Sequence, residues 1–178
     1  TEETGETDIE ILLPVAGLST AWSAVLEAGV KFGIKPIGTH AREALRIEAG
    51  IPKAGPDLNE EIVPPEANLE DKAFSLSKGC YPGQEVVARM DTYGNVRRHL
   101  VGLVLKDAVV PPHRAKLFSG DREIGWISSA VRSPQLNQVI AFGFPLRDFS
   151  KPGAELAVEV DGHRHPATVH TLPFYTKS

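Results

Sequence analysis

An α+β fold, helices first and an antiparallel barrel after them, follows from three features of the sequence. Two segments of helical period lie within residues 18–50, a proline-rich acidic stretch follows, and beyond Val96 the texture changes to short β-branched runs separated by turns. Residues 8–13 read as a strand. Ser19 or Thr20 then caps a helix whose Trp22, Val25 and Leu26 share one face before Gly29 ends it. A second helix starts at the cap Thr39 and carries Ala41, Ala44, Leu45 and Ile47 to Gly50, with Pro52 placed to stop it. On this helix Arg42 and Arg46 stand four residues apart, a like-charge pair that costs roughly a few tenths of a kcal/mol. Either a bound carboxylate or phosphate relieves that repulsion, or Glu43 and neighbouring acids screen it on a wet face.

Residues 51–73 hold Pro52, Pro56, Pro64 and Pro65 among many acids and form a long irregular segment over the surface. Barrel strands are expected at 100–105, 124–131, 139–144, 156–160 and 167–172, five or six in all. Ser119-Gly120-Asp121 and Asp161-Gly162 supply hairpin turns between them. The boundary falls near Asn95, giving units at 1–95 and 96–178.

With 42% hydrophobic residues, 24% charged residues and a net charge of -4, the chain has the composition of an ordinary globular protein. Its longest apolar runs, such as Leu103-Val104-Leu105, are too short to span a bilayer, so no membrane is expected as a partner. The acidic balance argues against nucleic acid, because the one basic cluster, Arg97-Arg98-His99, is small; it reads equally as a strand edge or a ligand contact. A single cysteine closes no intramolecular disulfide, so the cytoplasm, or the mitochondrial matrix in a eukaryote, is the expected compartment. The chain opens at Thr1 inside charged sequence and reads as a piece of something longer.

That cysteine, Cys80, lies in the run Lys78-Gly79-Cys80-Tyr81-Pro82-Gly83-Gln84-Glu85, on a turn ahead of a helix expected to continue toward Gly94. The amide groups of a helix N-terminus and the Lys78 cation both favour an anion there, which suits a reactive or metal-binding sulfur; Gln84 and Glu85 would orient the turn or cap the helix. The other reading is a small apolar filler. The six histidines, at 40, 99, 113, 163, 165 and 170, show no metal-ligand spacing, His163 and His165 being better explained as surface residues beside a turn. No phosphate-binding glycine loop, dinucleotide fingerprint or nucleophile elbow is present.

The cysteine run closely resembles the signature of the folate-binding relatives of the glycine-cleavage T-protein, specifically the YgfZ branch associated with iron-sulfur cluster assembly or repair. Further segments resemble the family in order: Thr4-Gly5-Glu6 with Glu10-Ile11, the helix from Ala41-Arg42-Glu43 to Gly50, Pro65-Glu66-Ala67, Arg97 to Leu103, and Leu172-Pro173-Phe174-Tyr175. The resemblance implies the C-terminal part of a tetrahydrofolate-binding domain followed by an antiparallel, Greek-key-like β-barrel. It implies tetrahydrofolate or a one-carbon derivative as the small-molecule partner. Glu6 would hydrogen-bond the pterin, Arg42 and Arg46 would meet the glutamate tail, and Arg97 would be a further folate contact. Glu6 also reads as a terminal acid, and Arg42 as a partner of Glu43 or Glu48.

In the resembling branch the cysteine is the functional residue. The leading expectation is therefore an accessory protein for iron-sulfur maintenance acting through Cys80, with Lys78, Gln84 and Glu85 in support and iron-sulfur apo-proteins or assembly factors as partners. The alternative is an aminomethyltransferase, or another folate-dependent one-carbon transfer enzyme. Whether the chain is itself an enzyme is open between the two.

Overall fold

The computed structural model describes residues 4–70, 73, 79–85, 87 and 96–175. A 3-10 turn at Val15–Gly17 leads directly into helix α1, Leu18–Gly29, so Ser19 and Thr20 lie inside its first turn and Gly17, with no side-chain cap, precedes it. Helix α2 spans Thr39–Glu48. Its cap is Gly38, whose carbonyl accepts the Ala41 and Arg42 amides at 3.1 and 3.2 Å; Thr39 is the first helical residue. Residues 7–14 do not form the expected strand. A strand exists only with a hydrogen-bonding partner, and no ladder joins this segment among the described residues.

Six strands close the barrel: β1 Val101–Leu105, β2 Lys116–Ser119, β3 Arg122–Ser133, β4 Gln138–Gly143, β5 Glu155–Val160 and β6 His163–His170. Their order around the barrel is β1-β4-β3-β2-β5-β6, every pairing is antiparallel, and β1 meets β6 to complete the ring. Strands β2, β3 and β4 follow one another and β5 returns beside β2, which is a Greek-key arrangement. The hairpin residues fit their turns: Gly120 takes φ 57°, and Asp161 and Gly162 take 49° and 78°.

Two apolar clusters form among the described residues. Leu103, Leu117, Ile127, Val139, Ala141, Val158 and Ala167 pack inside the barrel. Ile47 of α2 joins Leu100, Ile140, Phe142, Phe144 and Phe174 in a second cluster on the outside of β4. Because β4 is covered on both faces, all its residues after Gln138 are buried. The loop before the barrel is strapped to its first strand: the Leu100 amide donates to the Glu66 carbonyl at 2.7 Å, and the Asn68 side chain donates to the Leu100 carbonyl at 2.8 Å.

At Gly125 in β3, the strand passes so near the Phe144–Pro145 backbone that an added Cβ would overlap the Phe144 carbonyl. Backbone there cannot swing aside as a side-chain tip would. Gly125→Ala is therefore expected to destabilise the chain by about 1–3 kcal/mol, read from the urea unfolding midpoint at unchanged slope.

Candidate functional site

The charged residues of α2 divide into a buried set and an exposed set. Arg46 is buried, and every N–H of its guanidinium has a partner. Nε and Nη2 donate to Glu43 Oε2 at 3.1 and 2.9 Å, Nη1 to Asp57 Oδ2 and the Ile51 carbonyl, each at 2.8 Å, and Nη2 also to Ser129 Oγ at 3.0 Å. Asp57 is fully buried and equally occupied: Oδ1 accepts Ser128 Oγ at 2.5 Å and Ser129 Oγ at 2.7 Å, while Oδ2 also accepts the Lys53 amide at 3.0 Å. The expectation that Arg46 meets a ligand is thus corrected, since no donor is left for one. Glu43 does relieve the Arg42–Arg46 repulsion, through a shielded ion pair instead of a wet face.

Glu43 also accepts Lys53 Nζ at 2.8 Å. Partial burial pushes its carboxyl upward, but hydrogen bonds from Lys53 and Arg46, with their charges, outweigh that and hold it below its ordinary 4.5.

Arg42, one turn before Arg46, is exposed. With Glu43, Arg46 and residues 51–54 it lines a hollow of about 320 Å³. Glu6 lines a neighbouring hollow of about 350 Å³ with Leu45, Glu48, Ala49, Gln135 and Tyr175. Gly5 lies directly on Ala49 at φ 76°, where a Cβ would collide with the alanine and a left-handed backbone would be strained. Thr4 then donates to Asp8 through Oγ1 at 2.8 Å and through its amide at 3.2 Å. The glycine contact and the Thr4–Asp8 hydrogen bonds together set Glu6 beside the C-terminal end of α2.

That end is itself fixed. The Glu48 carboxylate accepts a short hydrogen bond from Ser133 Oγ, and the Glu48 carbonyl accepts the Phe174 and Tyr175 amides at 2.9 and 3.1 Å.

Arg98 belongs to the barrel: Nη1 donates to the Ile124 carbonyl at 2.9 Å, and the guanidinium lies 4.7 Å from the Trp126 ring centroid. Arg97 is exposed at the barrel entry, its carbonyl accepting the Arg147 amide at 3.0 Å. Burial first, then Arg147, lowers the His99 pKa against the opposing pull of Glu70 and Glu66. Cys80 and Glu85 are exposed and Gln84 is half-buried, in a turn where the Gln84 amide donates to the Tyr81 carbonyl at 3.2 Å; Lys78 lies outside the described residues. Among the described residues no three His, Cys, Asp or Glu side chains are grouped as a metal ion requires. Sequence reasoning missed Asp57, Ser128 and Ser129 because they come from a loop and a strand far apart in the chain.

Residues 4–75 match the GCVT N-terminal domain, and residues 98–176 match the glycine cleavage T-protein C-terminal barrel domain. The chain belongs to the glycine cleavage T-protein superfamily. It is 38% identical over 176 residues to an aminomethyltransferase of Pelodictyon phaeoclathratiforme, covering 98% of this chain and 47% of that protein. It is 36% identical over 174 residues to the aminomethyltransferase of Moorella thermoacetica, with 98% and 47% covered. The chain therefore spans about half the length of these curated relatives. The crystal structure of glycine cleavage system aminomethyltransferase T from Bartonella henselae superposes with a TM-score of 0.80 at 24% identity, over 89% of this chain and 44% of that one, a likeness of fold.

These relatives overturn the expectation of an iron-sulfur accessory protein acting through Cys80: along nearly the whole chain the matching proteins carry the name aminomethyltransferase. The YgfZ assignment narrows to the T-protein superfamily as a whole.

Asp57→Ala leaves Arg46 with Glu43 as its one remaining carboxylate and takes the acceptor from Ser128 and Ser129, and is expected to cost about 3 kcal/mol in chemical denaturation. The lowered Glu43 pKa gives a pH effect of definite sign: its contribution is complete above about pH 4.5, the unfolded value, and is lost as pH falls through the lower folded one. Unfolding midpoints measured across that window should fall less steeply in Glu43→Gln.

Proposed function

We propose that this chain is the tetrahydrofolate-contacting portion of an aminomethyltransferase, in which a one-carbon unit is handed to the folate. The observation that carries the reading is the run of relatives named aminomethyltransferase over 96–98% of the chain. The arrangement about α2 supports it. Arg42 and Ala49, the residue on which Gly5 sits, are seven residues apart, which places them on one stripe of the helix about 10 Å apart along its axis.

A ligand with a hydrogen-bonding ring at one end and carboxylates at the other suits that spacing. The Glu6 carboxylate would accept from the amino-pyrimidine edge of the pterin, and Arg42 would hold the glutamate tail by charge-assisted hydrogen bonds. Arg97, exposed at the junction near residue 95 that we take as the domain boundary, is the remaining candidate cation for the tail. In this reading the exposed Cys80, with Gln84 and Glu85, takes no part in the transfer.

Titration calorimetry with tetrahydrofolate tests the assignment. Glu6→Ala and Arg42→Ala should each weaken binding about tenfold or more, the loss of one charge-assisted contact. Cys80→Ser should leave both the affinity and any aminomethyl transfer unaltered. Unchanged affinity in Glu6→Ala and Arg42→Ala would remove these two residues from the site, and transfer abolished by Cys80→Ser would remove the transferase mechanism argued here.

A further inference from the structure

The turn between β3 and β4, residues 134–137, reaches from the barrel to the hollow that holds Glu6. One hydroxyl pins it on two sides: Ser133 Oγ donates to the buried Glu48 carboxylate and accepts the Leu136 amide at 2.9 Å. Leu136 packs against the second apolar cluster, and Asn137 takes φ 52° as the chain turns into β4. Pro134, whose ring fixes φ, precedes Gln135. Gln135 is thus held between anchored neighbours with little backbone freedom, and its exposed side chain lines the hollow.

The polar groups around the hollow are unequally occupied. Glu48 is bonded to Ser133, and Thr4 Oγ1 donates to Asp8 at 2.8 Å. Of the lining residues, Gln135 and Tyr175 are the two whose side-chain donors have no partner among the described residues. A pterin held by Glu6 needs such a donor. A carboxylate that accepts from the 2-amino group and N3–H satisfies the donors of that edge and leaves the 4-oxo oxygen beside them, an acceptor without a partner. A cation placed to meet that oxygen would also pair with Glu6 and draw it from the ring. A carboxamide is neutral, so it donates without that competition.

We propose that Gln135 is a specificity-determining residue of the folate site, its carboxamide donating to the 4-oxo oxygen of the pterin whose amino-pyrimidine edge Glu6 holds. The inference rests on the folate reading above and adds to it a contact supplied by the barrel. Ser133 is the positioning residue for Gln135, through its bonds to Glu48 and Leu136.

Calorimetric titration of the 178-residue chain with tetrahydrofolate and with its 4-amino analogue, in which the oxygen acceptor becomes an amino donor, tests the contact. Gln135→Glu, an acceptor only, is expected to shift the ratio of the two affinities toward the 4-amino compound by about tenfold or more, and Gln135→Leu to weaken tetrahydrofolate by a similar factor. Position 135 is exposed, so the urea unfolding midpoint should stay in place in both variants. Asn137→Asp adds the same charge outside this hollow and should leave the ratio as it is. A role confined to the shape of the turn would weaken both ligands alike; an unchanged ratio in Gln135→Glu therefore overturns the proposal. A ratio moved equally by Asn137→Asp, or moved by Tyr175→Phe and not by Gln135→Glu, overturns it as well. Tetrahydrofolate binding that falls in Glu6→Ala and is indifferent to residue 135 removes Gln135 and leaves the folate reading standing, whereas no binding by the unaltered chain removes both.

Discussion

The buried ion pair between Arg46 and Asp57 is the constraint on which the arrangement of this molecule depends. Two charges withdrawn from water are tolerated only when both are fully hydrogen-bonded, and here the partners come from three places: α2 itself, the loop after it, and β3, which supplies Ser128 and Ser129. Satisfying them requires the helix, the loop and the barrel to stand in one relation. The guanidinium also lies 5.6 Å from the Phe142 ring centroid, so the polar hub and the second apolar cluster share a wall. Hydrophobic contact alone would allow α2 to slide on the barrel; fixed donor and acceptor directions remove that freedom.

A second tether acts at the other end of the same helix. The Glu48 carbonyl takes two amides from the C-terminal segment, and Phe174, brought in by those bonds, stacks at 6.4 Å on Phe142 and at 5.5 Å on His170. The last residues of the chain therefore hold a helix near its beginning. Chain order and spatial order diverge, and the hollow holding Glu6 exists only because both segments reach α2.

Much of this was legible in the sequence, and what was not has a physical cause. Five of the six strands stand out as β-branched or aromatic runs between turn residues; β2, Lys116-Leu117-Phe118-Ser119, is four residues long without a β-branched side chain and shows no period. Helix α2 was legible from Gly50 and Pro52, and only its cap moved by one residue. The segment 8–13 has the alternation of a strand, yet alternation records what a segment suits and not whether a partner is present. The hub was hidden because Asp57 follows Gly55-Pro56 in a turn, where an aspartate reads as solvated, and Ser129 lies 83 residues from Arg46. The motif around Cys80 is conspicuous in composition, whereas kinship along nearly the whole chain is with proteins named aminomethyltransferase.

The two arginines of α2 show how one turn of helix separates a buried, fully engaged side chain from an exposed one. Four residues advance the side chain by about 40° around the axis and about 6 Å along it. That is enough to carry Arg46 over the seam with β3, where all its donors are taken, and to leave Arg42 at the rim of a hollow facing solvent. The pair repels, and the repulsion is contained asymmetrically: Glu43 turns both of its oxygens to Arg46 and Lys53, which puts the compensating charge on the buried side. The hub thereby holds in place the helix that presents Arg42, while Gly5 on Ala49 presents Glu6 from the same helix two turns on. In the folate site proposed above, recognition would depend on rigidity set by charges that do not themselves meet the ligand.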